Sequence, residues 1–140
     1  MDICSLNRFL EAQKIMYETA HEEIKKGEKE SHWIWYIFPQ LRGLGYSPKA
    51  YTYGIDGLEE AKAYLEHPVL SARLIEITEA LLTHRGKDIE DIMGDIDALK
   101  LRSSMTLFAH ISETNSVFHR VLEVFYDSKM DEMTLELLGK

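Results

Sequence analysis

The chain has 140 residues, of which 45% are hydrophobic and 29% charged, and its formal net charge is −8. This length and composition are typical of one globular domain, 1–140. The acidic balance argues against nucleic-acid binding, which requires clustered lysine and arginine side chains. We therefore expect no nucleic-acid partner, although one or two local cations are enough to hold a small anionic ligand.

Cysteine content and hydropathy predict a reduced, cytoplasmic setting. The one cysteine, Cys4, can form neither an intramolecular disulfide nor a cysteine-based metal site, and its surroundings do not favour a reactive thiolate. No apolar run reaches the length of a transmembrane helix, and no signal-peptide pattern opens the chain, so no membrane association is expected. The six histidines lack the i, i+4 spacing of paired ligands, and we predict no metal site.

Hydrophobic spacing predicts helices along the whole chain and no sheet. Six to eight helices with short connections are expected, in a single compact all-α domain of the α–α superhelix or orthogonal-bundle type. Glycine, proline and capping side chains mark where the expected segments begin or end, at Gly27, Pro39, Ser47–Pro48, Asp56, His67–Pro68, Gly86, Asp88, Gly94–Asp95, Asn115 and Asp131. Glu59 is in position to complete a capping box with Asp56.

The segment 31–50, SHWIWYIFPQLRGLGYSPKA, is the most irregular part of the chain. Most of its middle, from Trp33 to Phe38, is assigned to the core as a buried turn or two of helix stopped by the following proline. An indole ring there, Trp33 or Trp35, also offers a surface on which a ligand ring can stack. The polar and glycine-rich flanks add further candidate binding residues, namely His32, Gln40, Gly43 and Gly45.

The helix expected near 96–111 is apolar around most of its circumference and is predicted to be the central one. Asp97, Lys100 and Ser104 nevertheless fall within its apolar sector, while Arg102 and Thr106 lie on a more polar side. Buried charges are costly unless paired, so two interpretations remain open. In one, Asp97 and Lys100 form a structural ion pair, with each other or with groups elsewhere. In the other, Lys100 meets the anionic group of a ligand.

Other polar residues have less distinctive patterns. Ser103 or Ser104 can supply hydroxyl groups to a ligand held by Lys100. Gln13 falls near the centre of the apolar face of the first helix, where its amide either ties down a neighbouring loop or reaches a ligand. The pairs Glu22–Glu23 and Glu59–Glu60 are interpreted as solvated helix faces. Since no established catalytic or phosphate-binding motif is present, the sequence leaves open whether the protein is an enzyme and indicates no cofactor.

Three blocks resemble one known family: HWIWYIFPQLRGLGYSPKA, EAKAYLEHPVLSARL and GDIDALKLRSSMTLF. Together with the runs RFLEAQ at 8–13 and DEMTLELL at 131–138, they resemble the mainly bacterial family of domains of unknown function numbered 1810 over almost the whole chain. The resemblance implies an all-helical fold and brings no established activity or catalytic residues. All the candidate residues above lie in the family's most recognisable blocks, which fits a shared pocket, although contacts that lock helices together would give the same set.

Two functional hypotheses follow. The first is a binding protein or small enzyme for a small anionic, nucleotide-like ligand, held between the 32–45 segment and the 97–106 helix. The second is a non-catalytic interaction module whose aromatic 31–46 segment binds a protein partner or a second copy, giving a homo-oligomer. The first requires the two segments to be neighbours. The second requires an exposed aromatic side chain in that segment, Trp33, Trp35 or Tyr46, within a flat apolar patch.

Overall fold

The computed structural model describes residues 5–139, so Cys4 lies outside the described residues. Within that range the chain forms helices and no strand, with one isolated parallel bridge between Leu41 and Ile55. The helices are α1 (Asn7–Lys26), α2 (Ile34–Ile37), α3 (Pro48–Tyr53), α4 (Gly57–Glu66), α5 (Pro68–Leu82), α6 (Ile89–Met93), α7 (Asp95–His110), α8 (Val117–Tyr126) and α9 (Glu132–Leu137). The predicted all-helical single domain is confirmed.

The helices in the described part of the chain number nine, more than the six to eight expected. The reason is that four of them, α2, α3, α6 and α9, span only four to six residues. Such short helices are stabilised by local capping and by packing against the rest of the protein, because isolated helices of this length are unstable in water.

Most helix boundaries follow the predicted signals. Gly27 ends α1 with a φ of 88°, and its N–H donates to the carbonyls of Glu23 and Ile24. Ser47 caps α3 by accepting from the Ala50 N–H. The capping box expected at Glu59 is wrong: the Asp56 N–H donates instead to Glu60 Oε1, at 2.8 Å.

The core is arranged around α1, α5 and α7. Helix α1 packs against α2 and α5, and α5 packs against α4 and α8. Helix α7 contacts α2, α6, α8 and α9, and every residue from Ser103 to Ala109 is buried, so its predicted central position is confirmed. Thr106, expected on a polar side, is also buried, because the chain entering α9 covers it: the Asp131 N–H donates to its hydroxyl at 2.9 Å. No helix among residues 5–139 has the length and apolar character needed to cross a membrane.

Two acidic side chains that were assigned to solvated faces are largely covered instead: Glu23 is buried, and the side chain of Glu60 is 9% exposed. Glu60 receives two hydrogen bonds from the Arg8 guanidinium, at 2.8 and 2.9 Å, and Arg8 also donates to the carbonyls of Thr52 and Gly54. This fork-to-carboxylate geometry is among the stronger ion-pair arrangements in proteins. It ties the beginning of α1 to the α3–α4 connection.

Glu23 organises the loop between α1 and α2. Its carboxylate accepts hydrogen bonds from the Trp33 indole, from the Ser31 hydroxyl and from the backbone N–H groups of Glu30 and Ser31. Burial by itself would raise the pKa of Glu23, but these donors together lower it to about 2. The carboxylate is therefore charged at neutral pH and holds the loop that leads into α2.

Candidate functional site

The two segments that had to be neighbours do meet. Helix α2 packs against α7, and two open grooves lie along their junction. The α2 groove has a volume of 540 Å³ and is lined by His32, Trp35, Met93, Gly94, Asp95, Ile96, Asp97 and Lys100. The loop groove has a volume of 350 Å³ and is lined by Gln40, Leu44, Gly45, Leu99, Lys100, Arg102, Ser103, Asp131 and Met133. Lys100 belongs to both grooves and therefore lies between them.

Trp35 is the aromatic centre of this junction. The single turn of α2 buries Ile34, Tyr36 and Ile37 in the core, while Trp35 stays half-buried. The ammonium of Lys49 lies 5.0 Å from the centroid of the Trp35 ring, and that of Lys100 lies 5.2 Å from it. Both distances allow a favourable interaction between a cation and an indole ring.

The indole N–H of Trp35 is buried and has no hydrogen-bond partner among residues 5–139. Buried N–H groups are almost always paired, so an unpartnered one beside a groove calls for an explanation. The N–H of Trp33, in contrast, donates to Glu23 at 2.9 Å. The two tryptophans, two positions apart in the chain, therefore have different roles: Trp33 is completely buried in the core and Trp35 lines a groove.

Asp97 and Lys100 do not pair with each other. Asp97 instead accepts from Lys29, with Nζ and Oδ2 2.6 Å apart. Lys29 also donates to the Ser31 carbonyl and lies 4.7 Å from the centroid of the Trp33 ring. The structural ion pair is therefore formed by Asp97 with a group elsewhere in the chain, and Lys100 is not part of it.

Neither Lys49 nor Lys100 forms an ion pair with any carboxylate of residues 5–139. A third cation, Arg102, lies 3.7 Å from Asp131, and its Nε is buried without a partner in the same range. Asp131 is also engaged as the cap of α9, where it accepts from the N–H and the hydroxyl of Thr134. Three cations, Lys49, Lys100 and Arg102, are thus found in or beside the grooves, whose linings also contain Asp95, Asp97 and Asp131.

The structure brings seven of the eleven candidate residues to the grooves: His32, Trp35, Gln40, Gly45, Asp97, Lys100 and Ser103. The other four are Gln13, Trp33, Gly43 and Ser104. Gln13 is buried and donates to the Tyr36 carbonyl at 2.8 Å and to the Tyr64 hydroxyl at 3.0 Å, so it ties α1 to neighbouring segments. Ser104 is fully buried, with no hydrogen-bond partner for its hydroxyl among the described residues. Gly43 faces Leu137 of α9 and lines neither groove.

Sequence reasoning missed Lys29, Lys49 and Arg102. Lys49 directly follows the Ser47–Pro48 capping signal, and its place after that cap was the only available clue that it lies near the irregular segment. Arg102 follows Lys100 by two residues, which on a straight helix points the two side chains in different directions. It lines the loop groove all the same, since the connection into α9 forms the far wall there.

Exposed apolar side chains surround the cations. Leu99 is 60% exposed and Met133 56% exposed, and both line the loop groove. Tyr46, next to that groove's Gly45, is 100% exposed. Among the three aromatic residues considered for an interaction surface, Trp33 is completely buried and Trp35 is half-buried, which leaves Tyr46 as the fully exposed one.

Within residues 5–139 no three or more histidine, cysteine, aspartate or glutamate side chains gather in a way that could hold a metal ion. The hydroxyl of Ser103 donates to the Leu99 carbonyl of its own helix, at 3.3 Å. This is an ordinary helix contact that does not activate the serine as a nucleophile.

A family model described as "Protein of unknown function (DUF1810)" matches residues 3–138. The chain is also similar to the conserved hypothetical protein Rv1873 from Mycobacterium tuberculosis, whose crystal structure aligns with a TM-score of 0.95. The two are 47% identical, and the alignment covers 99% of each chain. No curated protein matches the chain. The resemblance noted from the sequence blocks is confirmed, and it supplies a fold without an activity.

Proposed function

Because the chain belongs to the family of proteins of unknown function DUF1810, we propose its function from the geometry alone: it binds a small anionic ligand where the two grooves meet at Lys100. The observation that carries the proposal is the pair of lysine ammonium groups beside the Trp35 ring, neither with a carboxylate partner among residues 5–139. The chain has a net charge of −8 and is therefore rich in carboxylates. Two lysines without a carboxylate partner among residues 5–139 are unexpected in such a chain.

Electrostatics favours an anion at this position. An anion beside Lys100 is attracted by its ammonium group, and Lys49, on the same indole ring, adds a second positive charge. Arg102 adds a third positive group in the loop groove, partly offset by Asp131.

The groove walls also offer polar groups that can orient the ligand. Gln40, a residue with an amide side chain, lines the loop groove together with Gly45, whose lack of a side chain allows close packing against Ala50. The buried and unpartnered N–H of Trp35, which lines the α2 groove, is a further donor.

Thermal unfolding in the presence of anions tests the proposal. We would measure Tm in sodium phosphate, citrate and AMP at constant ionic strength, for the wild type and for Lys100→Met. A bound anion at roughly ten times its Kd should raise the wild-type Tm by about 5 °C. The matched control is Lys62→Met, which removes an exposed lysine of α4 that lines neither groove.

Two results would contradict anion binding at this site. One is the absence of any Tm increase in the wild type for the whole anion series. The other is an equal increase in Lys100→Met and wild type, which would place the anion elsewhere. If the increase is kept in Lys62→Met and lost in Lys100→Met, the proposal holds.

A second candidate function is favoured by the full exposure of Tyr46. With Leu99 and Met133 nearby, this side chain gives the protein an apolar face that a second copy can cover. Sedimentation velocity across a concentration series tests self-association: Tyr46→Ser should weaken it, whereas Tyr51→Ser, at an exposed tyrosine of α3, should not. A monomer at every concentration would exclude the homo-oligomer.

The cytoplasmic location expected from the cysteine content is likewise a proposal. It is supported by the absence of a membrane-spanning helix among residues 5–139. Fractionation of cells that express the full chain checks it, and recovery in the membrane or secreted fraction would contradict it.

A further inference from the structure

The cations of the proposed site have apolar neighbours. In the loop groove, Lys100 lies among Leu44, Leu99 and Met133. In the α2 groove, the same lysine lies beside Trp35 and the exposed Ile96. A lysine on an ordinary protein surface is surrounded by other polar groups, and exposed apolar side chains gathered around a functional group usually mark a recognition surface. Each groove therefore offers apolar side chains next to Lys100 in addition to its polar ones.

The charge of the grooves is small. Lys49 and Lys100 have no carboxylate partner in the described chain, while Arg102 is partly offset by Asp131. Asp95 and Asp97 line the α2 groove on the other side of Lys100, and only Asp97 is paired with a lysine. A ligand with three or four negative charges spread over a polyphosphate would bring some of them close to these acids. A single carboxylate held at Lys100 brings less negative charge close to these acids.

From the apolar walls and the small charge together, and as an inference that rests on the proposed function, we infer that the ligand is an amphipathic monoanion: one carboxylate attached to an aliphatic or aryl body. The carboxylate lies at Lys100, and the body lies along Leu99 and Met133 of the loop groove. This departs from the nucleotide-like ligand considered from the sequence and keeps only its negative charge. Two sources have this chemistry, a free organic acid and the C-terminus of a peptide that ends in an apolar residue.

Each part of the ligand contributes differently. The carboxylate supplies orientation through the ammonium groups, whereas the apolar body supplies affinity in proportion to the area that it covers. Acetate carries the charged group alone, and octanoate adds six methylene groups to it. Even partial burial of those groups in an open groove should make octanoate bind at least about tenfold more tightly than acetate.

Isothermal titration calorimetry with the full chain tests the inference. The probes are acetate, octanoate below its micelle concentration, AMP, and the tripeptide acetyl-Gly-Ala-Leu with either a free or an amidated C-terminus. Leu99→Ser should weaken octanoate binding about fivefold and leave acetate binding unchanged. Ile15→Ser is the matched control, since Ile15 is an exposed aliphatic residue of α1 that lines neither groove. Lys100→Met should abolish the binding of both acids.

The outcomes separate the inference from the proposed function. If AMP binds in a Lys100-dependent manner while octanoate binds no more tightly than acetate, the amphipathic ligand is wrong and anion binding stands. If no probe depends on Lys100, the proposed function itself fails. If octanoate and the amidated tripeptide bind to Lys100→Met as tightly as they bind to the wild type, binding depends only on apolar contacts and the inference is overturned. Binding of the free-acid tripeptide but not of octanoate supports the inference and identifies a peptide C-terminus as the source.

Discussion

Lys29, in the loop that follows α1, and Asp97, in the first turn of α7, form an ion pair with 2.6 Å between Nζ and Oδ2. The lysine side chain is only 5% exposed, so little water compensates either charge if its partner is lost. The pair fixes the loop before α2 against the start of the central helix. It thereby sets the distance between the two walls of the α2 groove.

Lys29→Met is expected to lower the free energy of unfolding by about 3 kcal/mol, because it leaves a partly buried carboxylate unpaired. Urea denaturation monitored by circular dichroism measures the loss. The matched control is Lys26→Met, which breaks the exposed Lys26–Glu30 pair, with its 2.9 Å separation, and should cost much less than Lys29→Met because solvent screens this pair. Equal losses in the two variants would show that burial of the Lys29–Asp97 pair has no energetic consequence.

Glu23 should make the stability of the protein depend on pH in the acid range. Its pKa falls from 4.5 to about 2 on folding, so the unfolded state binds more protons between these values, and stability rises with pH there. The contribution, about 3 kcal/mol, is fully present above pH 4.5 and is lost as the pH falls through about 2. Urea titrations at a series of pH values should show this slope in the wild type and a flatter one in Glu23→Gln. Glu22→Gln, at the exposed neighbouring position, should keep the wild-type slope.

The two tryptophans should respond differently to the same substitution. Trp33→Phe removes a donor from the buried Glu23 carboxylate and leaves a cavity, so it should cost about 3 kcal/mol. Trp35→Phe removes an N–H that has no partner among residues 5–139, so its cost should be smaller by at least about 1 kcal/mol. Thermal unfolding of the two variants checks the order. A larger loss for Trp35→Phe would mean that its indole is structural and would weaken its assignment to a ligand site.

Arg8→Lys tests the contact between α1 and α4. A lysine cannot reproduce the two parallel bonds to Glu60 together with the bonds to the carbonyls of Thr52 and Gly54. We expect a loss of about 3 kcal/mol, measured by urea denaturation. Arg120→Lys, at an exposed position of α8, should be neutral. A neutral Arg8→Lys would indicate that point charge, rather than fork geometry, stabilises the contact.

The fold was predictable to a large extent because its boundaries carry local chemical signals. Gly27 and Ser47 act within a few residues of their own positions, so a sequence window contains all the information that they use. The two covered acids were not predictable in this way. Glu23 and Glu60 look like members of solvated pairs, and only their partners from other segments, Trp33 and Arg8, show that they are held away from solvent.

The candidate site was predictable in its location but not in its pairing. The adjacency of the 32–45 segment to the start of α7 was a requirement of the ligand-binding hypothesis, which rested on polar residues placed where apolar ones were expected, and the contact of α2 with α7 meets it. The partner of Asp97 did not follow, because Lys29 lies far away in the sequence and its loop has no pattern that points to α7. The different roles of Trp33 and Trp35 depend on how the single turn of α2 is oriented against the core. The amino-acid composition of the segment does not reveal this orientation.

The buried amide of Gln13 has a consequence for the uniqueness of the packing. Besides its bonds to the Tyr36 carbonyl and the Tyr64 hydroxyl, it accepts from Arg73 of α5 at 3.3 Å. One side chain of α1 is therefore hydrogen-bonded to α2, α4 and α5 at the same time. Apolar packing tolerates small slips of one helix along another, but these directional bonds are all satisfied in one alignment only. Gln13 thus fixes the relative alignment of the four helices α1, α2, α4 and α5. The placement of Trp35 at the groove depends on that alignment.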